Sequence, residues 1–128
     1  MSIPRKDIAI SQHDDIGLTF NMLDADEDPL DISGFTSLTW IIAGSVTGTI
    51  YLTKTTTNNT LLTPNAFTAT ALITKAESGA LPPTTIFPET KRGDSSLYHE
   101  FKGVNSGGRQ RTMLRGKLYV EDTRISDA

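Results

Sequence analysis

The sequence predicts an all-β fold, a single Ig-like antiparallel β-sandwich of about seven or eight strands with one short helical turn. Three observations predict it. Short apolar–polar alternations recur along the 128 residues, bounded by Gly, Pro, Asn or Asp. Thr is frequent, notably through 53–63 and at Thr84 and Thr85, and β-branched side chains suit a pleated surface. No strand-then-long-helix alternation occurs, which argues against a parallel α/β sheet.

The elements follow in order. Residues 7–11 form a short strand with Ile8 and Ile10 on one face. Residues 16–23 alternate Ile16, Leu18, Phe20 and Met22 with Gly17, Thr19, Asn21 and Leu23. An acidic loop, 24–31, leads to a strand at 36–42 that places Leu38, Trp40 and Ile42 together. Residues 47–54 oppose Ile50 and Leu52 to Thr49, Tyr51 and Thr53. Leu61 and Leu62 extend a short strand before Pro64. Residues 65–73 set Phe67, Ala69 and Ala71 on one face.

Thr74-Lys75-Ala76-Glu77 reads as a capping box, and Gly79 and Pro82-Pro83 limit the helix to about one turn. Residues 84–95 form a long connection. Residues 96–102 turn Leu97, His99 and Phe101 one way, and Tyr98 and Glu100 the other. A turn-rich stretch at 103–108 precedes the last strand, 110–120. There Leu114, Gly116, Leu118 and Val120 share one face, and Arg111, Met113, Arg115, Lys117 and Tyr119 the other.

The length suits one domain, 1–128, with 1–6 a flexible N-terminus and 121–128 a C-terminal tail. The absence of cysteine excludes disulfides and thiolate metal sites. No apolar run approaches the ~18 residues of a membrane helix, and residues 1–6 lack a signal-peptide core. A net charge of −3 argues against general nucleic-acid binding.

The charge is unevenly placed. Asp14, Asp15, Asp24, Asp26, Glu27, Asp28 and Asp31 occupy a stretch free of Lys and Arg. Lys91, Arg92, Lys102, Arg109, Arg111, Arg115 and Lys117 crowd the C-terminal third. Asp24, Asp26, Glu27 and Asp28, with Arg109, Arg111, Arg115 and Lys117, are the candidate interface between copies or with a scaffold. The plainer reading is two solvated faces that pair within the monomer.

Other motifs carry less. The acidic loop approximates D-x-D-x-D, since alternate carboxylates can converge on a hard cation. Pro29 and Phe35 stand where such a loop needs Gly and Glu, so turn chemistry explains it better and no metal or cofactor is expected. Arg92-Gly93-Asp94 and Asn58-Asn59-Thr60 read as a turn and a polar loop. His99 reads as a hydrogen-bonded core or interface histidine, and His13 precedes a turn. No nucleophile elbow, zinc-protease helix or phosphate loop supports an enzyme.

These parts resemble the N-terminal β-sandwich module of upper-baseplate proteins of tailed bacteriophages. The shared features are an alternating strand, 16–23, an acidic turn, 24–31, Leu30 with Ile32, and the strand through 38–42. A Thr-capped turn follows a central strand, here 67–72 and then 74–81. A Tyr-bearing strand, 98–101, a Gly-rich turn, 105–108, and a strand around Gly116 complete it. The chain departs by lacking Gly in the acidic turn, by Ser95-Ser96 before Tyr98 and by a long 83–94 connection.

The resemblance implies a non-enzymatic virion structural protein, assembled in the bacterial host cytoplasm. It would be an adaptor or head-decoration subunit on a baseplate, neck or head. Its expected partners are other virion proteins, copies of itself and a fibre protein, with no nucleic acid or membrane. The module continues into a fibre-bearing region in that family, so this chain is expected to be free-standing. The alternative is a carbohydrate-binding sandwich for host-surface adhesion, with Tyr51, Tyr98 and Tyr119 as candidate platforms.

Overall fold

The computed structural model describes residues 4–24, 26, 28–45, 48–58, 60–82 and 96–121. Among the described residues, eight strands form two facing sheets and one short helix accompanies them. The strands are β1 Ile8–Ser11, β2 Ile16–Asn21, β3 Phe35–Ala43 and β4 Ile50–Thr55. They continue with β5 Leu61–Asn65, β6 Thr68–Ile73, β7 Leu97–Asn105 and β8 Gln110–Glu121. The helix, α1, is Lys75–Gly79.

One sheet has the order β1-β8-β7-β3-β4 and the other β2-β6-β5. In immunoglobulin lettering, β2, β6 and β5 correspond to B, E and D. β4, β3, β7 and β8 then correspond to C′, C, F and G. The described pairs are antiparallel except β1 with β8, which run parallel.

The core follows strand alternation. Phe20 on β2, Trp40 on β3 and Phe101 on β7 meet between the sheets, with ring centroids 5.3 Å (Phe20–Trp40) and 4.9 Å (Phe20–Phe101) apart. All three are fully buried. Such ring pairs add roughly 0.5–1.5 kcal/mol each beyond their buried area.

His99, from the inward face of β7, is also fully buried, as its parity implied. Trp40 Nε1 donates to His99 Nδ1 at 3.1 Å. Because Nδ1 accepts, the ring proton sits on Nε2, which donates to the Lys6 carbonyl at 2.6 Å. Burial, outweighing that bond to Lys6, holds the imidazole pKa below its usual range.

The Lys6 carbonyl reaches His99 by passing over Gly116, where a Cβ would lie 2.0 Å from that oxygen. The segment is tied on both sides of the crossing. Lys6 N donates to Arg115 O at 3.0 Å, and Asp7 Oδ1 accepts from Lys117 N at 2.9 Å.

The helical turn carries both halves of the predicted capping box at Thr74 and Glu77. Glu77 Oε1 also meets Lys54 Nζ at 2.7 Å. Lys54 points inward from β4 opposite Trp40, and its side chain is only 5% exposed. Fully buried Ser78 donates to Asp14 O at 2.8 Å, docking the turn after β1 onto α1.

Several sequence expectations need correction, each for a stated reason. Ile50 and Leu52 do not share a face, because β4 bulges at Tyr51, pairing Leu52 with Ile42 but Ile50 with Ala43. Ile50 is consequently 54% exposed. Phe67 is exposed because it belongs to the turn before β6, while Ala69, Ala71 and Ile73 are buried. Gly103, placed in a turn from its composition, lies within β7.

Met113 and Leu114 are both buried, because Phe101 pairs with Leu114 and Lys102 with Thr112. Met113 is the extra residue of that bulge, so strand parity inverts there. The 84–95 connection, with Arg92-Gly93-Asp94, lies outside the described residues, as do residues 1–3 of the expected 1–6 terminus and 122–128 of the expected 121–128 tail.

Two outcomes follow. Gly116→Ala should lower stability by about 1–3 kcal/mol, because backbone rather than a flexible side chain must yield. Urea denaturation measures this, with faster amide exchange expected at Lys6. The second concerns pH: as it falls through 6.5, the unfolded chain gains a proton at His99 that the folded chain resists. Stability should therefore fall from about pH 6.5 downward. His99→Gln should flatten that part of a urea-midpoint profile, and an unchanged slope would reject the assignment.

Candidate functional site

The acidic loop is a closed hairpin end. Leu23 bridges Pro29, and Leu30 N donates to Met22 O at 2.9 Å. Asp24 Oδ1 accepts from Asp26 N at 2.8 Å and Asp28 N at 3.0 Å, so this carboxylate caps its own turn. Asp31 Oδ1 takes Ser33 Oγ at 2.6 Å and Ser33 N at 2.9 Å. These bonds hold the Asp31 carboxyl below the usual range. Asp26 and Asp28 remain exposed, and Glu27 lies outside the described residues. Among the described residues no cluster of three His, Asp or Glu is placed to hold a metal ion.

The β7–β8 turn closes on Asn105. Its Oδ1 accepts from Gly107 N at 2.9 Å and Arg109 N at 3.0 Å, and its N–H donates to Arg109 O at 2.9 Å. Gly108 takes φ 80°, the left-handed conformation that ends such a turn. Phe35, which follows the acidic loop, pairs with Asn105. The acidic loop and Arg109 therefore occupy the same end of the sandwich.

The four basic residues do not form one stripe, which corrects the sequence reading. Arg111 stands opposite Gly103, in the inward-facing row of β7, and reaches solvent because that row ends there. Arg115 and Lys117 stand opposite Glu100 and Tyr98, on the outer face. The Met113 bulge separates the two pairs. Among the described residues no ion pair joins the acidic loop to these four.

The outer face carries a cluster that charge counting along the chain missed. Glu100, its side chain only 11% exposed, meets Lys102 Nζ at 3.3 Å and accepts from the Tyr98 hydroxyl. Arg115 faces it across the strand pair. Desolvation, then the bond to and charge of Glu100, push Tyr98 up to about 12 against a weaker opposing effect of Arg115. The signal available in the sequence was outward parity: Tyr98, Glu100 and Lys102 alternate with Leu97, His99 and Phe101.

Beside this cluster Thr39, Ile41, Ile50, Glu100 and Lys102 line a shallow recess of about 200 Å³. A second recess of about 290 Å³ is lined by Asp15, Ile16, Gly17, Leu72, Ile73 and Thr74. Besides aliphatic and threonine side chains, the linings contain the carboxylates of Asp15 and Glu100 and the Lys102 ammonium. Of the three candidate tyrosines, Tyr51 is well exposed, whereas Tyr98 is engaged by Glu100 and Tyr119 is half-buried. No helix among the described residues is long and apolar enough to cross a membrane.

The sequence matches no protein-family model and no curated protein.

A difference absorbance titration, wild type minus Tyr98→Phe, should show a phenolate step at about 12. Glu100→Gln should lower that step without returning it to 10.0, because desolvation is the larger cause. A step at 10.0 in the wild-type protein would dismiss the cluster.

Proposed function

We propose that this chain is a non-enzymatic structural subunit of a tailed phage or phage-like particle. It docks on a ring or vertex of the virion as an adaptor or decoration protein. There it supports a fibre or neighbouring copies of itself.

The order of elements carries the reading. The alternating strand, acidic hairpin, Trp-bearing strand, Thr-capped turn, Tyr-bearing strand and Gly116 strand are successive parts of one sandwich. Those are the parts by which the sequence resembles the baseplate module. Charge supports the docking role. The exposed acids Asp26 and Asp28 share one end with Arg109 and Arg111, while Arg115 and Lys117 mark a sheet face. A subunit with two differently charged surfaces has one for each neighbour.

Gold-labelled antibody against the chain should decorate a fixed position on particles from the host culture, seen by electron microscopy. Particles left unlabelled would overturn the proposal, and binding on a glycan array would favour the adhesion reading instead. Added salt should release the chain, since exposed charge contacts are screened over about 8–10 Å at physiological ionic strength. Arg111→Glu and Arg115→Glu should act separately, because they lie on opposite faces. Unchanged incorporation of both single variants and of the double variant would remove the charged residues from the interface.

A further inference from the structure

Among the described residues, four strands lie at the edges of the two sheets, and three of them resist pairing. β1 has only 4 residues. β4 is broken by its Tyr51 bulge and carries inward-pointing Lys54. β5 contains Pro64 and a register shift. Short length, bulges, inward charges and proline are the devices that blunt an exposed edge.

β2 has none of these. Its 6 residues, Ile16–Asn21, pair with β6 in unbroken register and include no Lys, Arg or Pro. Met22 N donates to Phe67 O, so the even-numbered positions bond to β6. The amides and carbonyls of Gly17, Thr19 and Asn21 therefore point to the open side. Among the described residues no hydrogen bond occupies those three amides. The three residues are exposed, and the inward-facing Ile16 and Leu18 are only half-buried at this edge. An added strand would take up the free amides and finish covering these two side chains.

The charges around β2 define what fits. Asp14 and Asp15 precede it, and Asp24, Asp26 and Asp28 follow. No Lys or Arg occurs in sequence between Asp7 and Lys54, and across the sheet Lys75 N donates to Asp15 Oδ1 at 2.7 Å, which leaves Asp14 and the other Asp15 oxygen as the acids at that end. A second copy paired edge to edge would set acids against acids in the antiparallel or the parallel sense. We infer that the β2 edge binds an extended partner segment by strand addition, one with alternating apolar residues and basic residues at both ends. The strand spans about 20 Å at ~3.3 Å per residue, which sets the spacing of the two basic ends. Since both ends of β2 are acidic, the charge match holds for either strand direction. The inference concerns this edge alone and stands apart from where the chain assembles.

The test uses the full chain and a synthetic peptide, Lys-Arg-Thr-Val-Thr-Val-Thr-Val-Thr-Arg-Lys, with a control in which Glu replaces Lys and Arg. Amide exchange followed by NMR should slow roughly tenfold at Gly17, Thr19 and Asn21 with the basic peptide only. Asn21→Pro removes an amide that β6 does not use and should weaken binding by about tenfold or more. If that variant does not fold, Thr19→Lys keeps the backbone and should repel the same peptide. No binding, or binding that leaves the three amides unchanged, overturns the inference. So does a dimer, seen by light scattering, whose three amides are already slow without peptide, because the occupant is then a second copy.

Discussion

A chain of two hydrogen bonds through one imidazole fixes this sandwich. Trp40 can only donate and the Lys6 carbonyl can only accept, so His99 must do both. A neutral ring does so in one tautomer, and burial favours that neutral form. The same ring thereby links β3, β7 and the N-terminal segment. That segment then enters β1 alongside β8, which is how the first strand joins the last. Gly116 is the complementary requirement, since a side chain there would occupy the path of the Lys6 carbonyl.

The aromatic cluster takes over a task that many sandwiches assign to sulfur. In antibody domains a disulfide joins strands B and F and packs on a tryptophan of strand C. Here Phe20 and Phe101 occupy the B and F strands and meet edge to face at 4.9 Å, beside Trp40 on the C strand. Nothing covalent is needed, because burying three large rings removes enough apolar area from water to hold the sheets together. The arrangement also works in a reducing or an oxidising compartment, which a disulfide does not.

Period-two alternation made most of this legible. The strands bearing Phe20, Trp40, Phe101 and Leu118 could be placed with their inward faces. The capping box could be seen because its two halves are local and three residues apart. What alternation cannot show is a bulge, since one extra residue inverts the parity of everything beyond it. Tyr51 and Met113 are such residues, and Ile50 and Arg111 changed faces because of them. The tautomer of His99 was also hidden, because its acceptor lies 93 positions away in sequence.

The two bulges also decide how the surfaces divide. Without the one at Met113, Arg111 would join Arg115 and Lys117 on a single basic face beside Glu100. With it, the basic residues split between a sheet face and the end that carries the acidic loop. Asp24 and Asp31 at that end spend carboxylate oxygens on their own turns, leaving Asp26 and Asp28 exposed. Held on a closed hairpin, those two project a negative field from a fixed place. Such a field reaches about a Debye length, 8–10 Å, and so acts on whatever approaches the adjacent edge. β2 runs into this loop, and Asp14 and Asp15 stand at its other end. Among the described residues, the edge without a blocking device is thus also bracketed by acids. That pairing of open backbone with fixed charge admits a basic strand and repels a copy of itself.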